Sequence, residues 1–152
     1  MAAISLGIVV VAGFFIYRSL FADPETVSSG AYFTTDDGQT VFTASMDHLA
    51  PFDHGGQPAY KACMFSTDEG QTKFVGYLER FTPSGKAKYE AQMADFLAHK
   101  THVIPTAESG DIEVKKPGAG NPWVSRADIK AAAKVTEVPA PPGAVAEPVL
   151  PE

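Results

Sequence analysis

Ala31–Phe42 reads AYFTTDDGQTVF and Cys63–Phe74 reads CMFSTDEGQTKF, the same pattern displaced by 32 residues. Phe33 falls on Phe65, Thr34 on Ser66, Asp36 on Asp68, and Gly38-Gln39-Thr40 on Gly70-Gln71-Thr72. In each copy apolar runs flank a short segment of acid and glycine. An aspartate there bonds nearby backbone amides and a glycine takes positive φ without steric cost, so each copy predicts a tight turn. Threonine after the turn suits the start of a returning strand. The two copies therefore predict two β-hairpins, Ala31–Thr34 with Thr40–Ala44 and Ala59–Phe65 with Thr72–Phe81. Asp36, Gly38 and Thr40 stabilise the first turn, and Asp68, Gly70 and Thr72 the second. Neither acidic turn carries the spaced oxygen ligands of a dedicated calcium loop.

Downstream of the second hairpin, Thr82-Pro83-Ser84 opens a helix, with proline tolerated in the first turn. Tyr89, Met93, Phe96 and Leu97 recur at helical spacing, which predicts an amphipathic helix of about four turns covering one face of the sheet. Asp111–Lys116 predicts a short edge strand ended by Pro117-Gly118. The only tryptophan, Trp123, is expected to anchor the next turn on the sheet through its large apolar area, with an exposed partner contact as the alternative. Ser125 with Asp128 predicts a capping box opening a helix over Arg126–Val135. Pro139–Glu152 holds five prolines and no basic residue, a composition that predicts an extended, disordered tail.

Upstream of the hairpins the chain changes character. Its first 22 residues carry one charge, Arg18, and Ile8–Ile16 has no polar side chain. The 20 residues from Ala2 to Phe21 match the length of a helix crossing a hydrocarbon core of about 30 Å. Tyr17 and Arg18 sit where an interfacial aromatic and a snorkelling cation belong. A cleaved signal peptide is the competing reading, against which stand the missing basic n-region and the bulky Phe21 before Ala22. The full chain has 12 basic and 18 acidic residues, net −6, and without the first 22 residues the balance is 11 to 18. Such an acidic chain argues against a general binder of nucleic acid, which presents a basic face to phosphates.

Chemistry-bearing residues concentrate in the connector Met46–Pro58, MDHLAPFDHGGQP. Its two Asp-His pairs, Asp47-His48 and Asp53-His54, are candidate transition-metal ligands, since imidazole and carboxylate are the ligands such ions take. Ordinary loop polarity accounts for the same residues. His99 and His102 lie near a helix end, where a cation suits the dipole. No glycine-rich phosphate loop, nucleophile elbow or paired-cysteine motif is present, and Cys63 on its strand reads as a small apolar residue. No cofactor is expected.

The repeated turns resemble the Asp-box, the Ser/Thr-x-Asp-x-Gly-x-Thr-aromatic motif of sialidases and related propellers. Thr34, Asp36, Gly38 and Thr40 match in the first copy, and Ser66, Asp68, Gly70 and Thr72 in the second. Val41 and Lys73 stand at the aromatic position, with Phe42 and Phe74 one residue later. The resemblance implies a turn-stabilising element away from any catalytic pocket, and two copies are too few to close a propeller of roughly four or more blades. The anchor together with Tyr32–Gly38, Pro51–Gly56 and Gly76–Pro83 is similar to small membrane-anchored proteins of planctomycete-type bacteria, a likeness that implies architecture and no particular activity.

The expectation is an α+β protein: a transmembrane anchor at 1–22, a linker at 23–30, an extracytoplasmic domain at 31–135 and a Pro-rich flexible tail at 136–152. Two repeated hairpins form a small antiparallel sheet packed by an amphipathic helix. The chain is expected in the bacterial inner membrane with its C-terminal domain periplasmic, touching lipid through residues 2–21 and joining a membrane protein complex. Non-enzymatic accessory or interaction work is the leading function, with a metal-binding or enzymatic domain built on the Asp-His connector as the alternative. A pilin-like filament subunit is a third, although its usual glutamate near the mature N-terminus is missing, since no acid precedes Asp23. A reporter that is active only outside the cytoplasm, fused after Glu152, is expected to be active. Activity of a cytoplasm-only reporter at the same site would place the domain inside.

Overall fold

A computed structural model describes residues 30–151. Residues 2–21, read above as a membrane anchor, lie outside the described residues, among which no helix is long and apolar enough to cross a membrane. The described chain is α+β, an antiparallel sheet with two helices.

The strands are β1 (Gly30–Thr34), β2 (Phe42–Ser45), β3 (Phe52–His54), β4 (Gln57–Ser66), β5 (Phe74–Phe81), β6 (Ile112–Lys115), β7 (Val124–Ser125) and β8 (Glu147–Pro148). The helices are α1 (Pro83–Leu97) and α2 (Ile129–Thr136). The sheet order is β2-β1-β4-β5-β6-β7, with β3 and β8 also pairing β4. Both expected hairpins form, β1 with β2 and β4 with β5. Each returning strand starts two residues later than expected, at Phe42 and Phe74, because Thr40 and Thr72 are held inside the turns by the aspartates.

Period-two alternation gives the sheet apolar clusters of different membership from neighbouring residues. Ala31 and Phe33 pack with Ala50, Phe42 and Phe52. Tyr32, between them in sequence, packs with Ala62, Met64, Leu78, Val75, Trp123 and Val149. Trp123 lies 5.1 Å from Tyr60 by ring centroids, with the Arg80 guanidinium 4.2 Å over its ring, which anchors it on the sheet as expected.

Four expectations are corrected. The stretch Asp111–Lys116 is not an edge, since β6 lies between β5 and β7. α2 opens on Asp128, whose carboxylate accepts the Ala131 amide at 3.0 Å, while Ser125 belongs to β7. α1 does form with Thr82 as its N-cap, the Thr82 hydroxyl accepting the Gly85 amide at 3.0 Å, but it does not blanket a sheet face. It is seated by its first half: Gly85 is the one buried residue, so close to Asp111 that a Cβ would meet the Asp111 backbone at 2.6 Å, and Tyr89 meets Phe81 at 5.5 Å. The sheet surface beside it carries charge, and in the last turn Phe96 is half-buried while Leu97 is exposed.

The fourth correction concerns the tail. Its far end is not disordered but returns to the sheet, where Pro148 pairs with Phe65 and Glu147 with Ser66, and the Val149 amide reaches the Met64 carbonyl at 2.9 Å. β1 pairs β4 only at Tyr60 and Lys61, and β8 takes up the ladder further along. Proline is tolerated in such a short flanking strand because its missing donor is needed by no further neighbour. In hydrogen-exchange NMR the Val149 amide is expected to be protected well above random-coil rates. Coil-like exchange there would return the tail to the mobile class.

Candidate functional site

The repeated turns are the best-defined polar constellation. In the first, Oγ1 of Thr34 donates to Asp36 Oδ1 at 2.8 Å and accepts the Gly38 amide at 2.9 Å. Asp36 then accepts the Thr40 amide at 2.9 Å and the Thr40 hydroxyl at 2.6 Å. The second repeats this: Ser66 donates to Asp68 at 2.7 Å and accepts the Gly70 amide at 2.9 Å, and Asp68 accepts the Thr72 amide at 2.7 Å. Gly38 and Gly70 hold φ of 89° and 88°, the left-handed region that glycine supplies cheaply. Asp37 and Glu69 before them take φ of 59° and 57°, the less common case for residues with a Cβ.

The donors converging on each carboxylate favour its charged form. The Thr40 hydroxyl, then its amide, holds Asp36 down to about 2 from the usual 3.8, and the Thr72 hydroxyl and amide, with Ser66, hold Asp68 to about 2. These carboxylates are spent on their own backbone. Asp36, Gly38, Thr40, Asp68, Gly70 and Thr72 all lie within these two bonded turns.

The Asp-His connector does not assemble into a ligand set. His48 stacks on Phe52 at 4.4 Å and His54 on Phe42 at 4.0 Å, each ring lying on a phenyl face. Asp47 accepts the Ser45 hydroxyl at 3.0 Å, and Asp53 the Gly56 amide at 3.4 Å. Among the described residues no group of three or more His, Cys, Asp or Glu side chains is placed to hold a metal ion. The connector itself is half structured, since Phe52–His54 is β3.

A different site emerges on the sheet beside α1. Lys61 of β4 stands directly opposite Glu79 of β5, 3.4 Å apart, and Arg126 reaches the other Glu79 oxygen at 3.1 Å. The Glu79 carboxylate is mostly covered, whereas both cations are partly in solvent and keep spare donors. Together they floor a cleft of about 430 Å³, walled by Leu49, Phe81, Tyr89 and Ile112, with Glu108 at its edge. Leu49 also borders a groove of about 540 Å³ between α1 and the Met46–Leu49 strand connector, lined by Tyr89, Met93 and Leu97. The two depressions share Leu49 and Tyr89 and so form one continuous surface.

Next to this floor Cys63 faces Tyr77 across the ladder. Burial, then the Glu79 charge, pushes the Cys63 thiol up to about 11, and burial raises Tyr77 as well. Both influences favour the Cys63 thiol over its thiolate. Sequence patterning could have found the charged floor: Lys61 and Glu79 each interrupt a strand face that otherwise carries Cys63 and Phe65, or Tyr77 and Phe81.

Comparison with protein-family models, with curated proteins and with solved structures finds no match.

Two outcomes test the turns. Ser66→Ala strands the Gly70 amide and is expected to cost about 1–3 kcal/mol in denaturant unfolding. Because Asp36 and Asp68 titrate near 2 when folded and near 3.8 when unfolded, the stability they give is whole above about pH 4 and lost as pH falls toward 2. The double variant Asp36→Asn, Asp68→Asn is expected to have a flatter stability profile between those limits; an unchanged acid limb would mean the carboxylates contribute nothing.

Proposed function

We propose that this chain is a single-pass protein of the bacterial inner membrane, anchored through residues 2–21. Its α+β domain lies on the periplasmic side as a non-enzymatic accessory or interaction subunit of a membrane protein complex. The observation that carries this reading is the continuous cleft and groove around Leu49 and Tyr89. It offers apolar walls and two cations, Lys61 and Arg126, sharing the single Glu79 carboxylate, and among the described residues no group of three or more metal-ligating side chains is assembled. A partner segment bringing an apolar side chain to the groove and an acidic group to Lys61 and Arg126 is complementary to it, with charge setting orientation and packing holding the contact. The apolar stretch at residues 2–21 and the likeness to anchored planctomycete-type proteins support the same placement.

Photo-crosslinking in native membranes tests this. A crosslinking residue at Leu49 or Tyr89 is expected to join one recurrent protein neighbour, and Arg126→Glu to reduce that product several-fold. A crosslinker at Gln39, in the first turn, is expected to give none of it. Equal yields from all three positions, or none from the cleft, would overturn the proposal.

A further inference from the structure

Gly30, where the described chain begins, pairs with Ser45 of β2. The next residue, Met46, borders the groove whose other wall ends at Leu97. The last turn of α1 is therefore carried to the end of the domain at which Gly30 sits. Beyond it the chain runs back beside the helix, the Thr106 amide donating to the Gln92 side chain at 3.3 Å, with Pro105 buried. Met46, Leu97, Val103 and Ile104 are 49%, 67%, 74% and 71% exposed. Met46 and Leu97 line one groove, and Val103 and Ile104 follow Leu97 in the loop that returns to Gln92, so three of these exposed side chains fall within eight residues of chain at the end of α1.

Charge distinguishes the surface it would meet. Leu97–Ile104, LAHKTHVI, has no acid and carries His99, Lys100 and His102, although the chain as a whole is at −6. Lys100 pairs with Asp95 at 3.1 Å, but both side chains are largely in solvent, and such a pair holds its cation weakly. Two further acids line the groove, Asp47, engaged with Ser45, and Glu90, and the linker carries Asp23 and Glu25. Length supplies the second constraint. Residues 22–29 separate the apolar stretch from Gly30, and fully extended the chain from Phe21 to Gly30 reaches about 32 Å at most. A domain anchored through residues 2–21 thus keeps its Gly30 end within that distance of lipid.

We propose that this end rests in the lipid interface, with Leu97, Val103 and Ile104 among the headgroups and Lys100 on anionic lipid phosphate. The proposal rests on the anchored reading above. Burying those side chains is favourable per unit of apolar area, a juxtamembrane cation is drawn to an anionic surface, and the tether makes the contact effectively intramolecular. A membrane seated at Leu97, the far end of the groove, leaves its Leu49–Tyr89 part and the Lys61–Glu79–Arg126 cleft for a protein partner.

The test uses the full chain in nanodiscs of phosphatidylcholine with phosphatidylglycerol as the minor lipid, in a Cys63→Ser background. Single cysteines at Val103, Val11 and Gln39 are labelled with an environment-sensitive dye. A blue shift and loss of quenching by an aqueous quencher are expected at 103 and at 11, with full quenching at 39. Adding Leu97→Glu and Ile104→Glu is expected to restore quenching at 103 while leaving 11 protected. Quenching at 103 as strong as at 39, with 11 protected, would overturn the interfacial contact and leave the anchor standing. Quenching at 11 as well would overturn the anchor and with it this contact.

Discussion

The whole sheet depends on β4. Its ten residues hydrogen-bond to β1, β3, β5 and β8, so four separate stretches of chain reach the sheet through one strand. Ala59, Ala62, Met64 and Ser66 of this strand are buried, so it lies at the centre of the packing as well as of the pairing. A disturbance of β4 is for that reason a disturbance of both repeated turns, of the β3 hairpin and of the returning C-terminal segment together.

The turns share a device but differ in their attachments. In both, a buried hydroxyl, Thr34 or Ser66, donates to a carboxylate and accepts a backbone amide, replacing ladder bonds that a tight reversal cannot make. The first turn is then clamped to β6: the buried Lys115 ammonium binds Asp37, whose carbonyl accepts the Gly118 amide at 3.1 Å. Lys115 also lies 5.8 Å over the Trp123 ring. The second turn has the C-terminal segment as its neighbour, with Ser66, Glu69 and Gly70 across from Val145–Leu150. Repetition of sequence has thus given two equal turns with unequal neighbours.

What could be read from the sequence was local. The hairpins, the Asp36 and Asp68 bonds, the Thr82 cap and the seating of Trp123 follow from residues within a few positions of each other or from a single large side chain. What escaped depended on register between distant segments. Lys61 and Glu79 each stand out as a charge interrupting a strand face, but their pairing across 18 positions, and that of Arg126 with Glu79 across 47, is written in no motif. The proline-rich tail misled for the same reason, since its composition says nothing about an open stretch of β4 waiting for Val149. The histidines of the connector escaped differently. Beside aspartate they resemble ligands, yet their rings answer to Phe42 and Phe52.

The return of the tail to the sheet also brings the two described ends of the fold together. A Cβ on Gly30 would sit 3.5 Å from Pro151, so the first and last described residues lie side by side. β8 holds this closure through two paired residues and the Val149 amide, whereas β4 and β5 share a ladder of five pairs, so the joining of the described ends rests on one of the shortest pairings in the sheet.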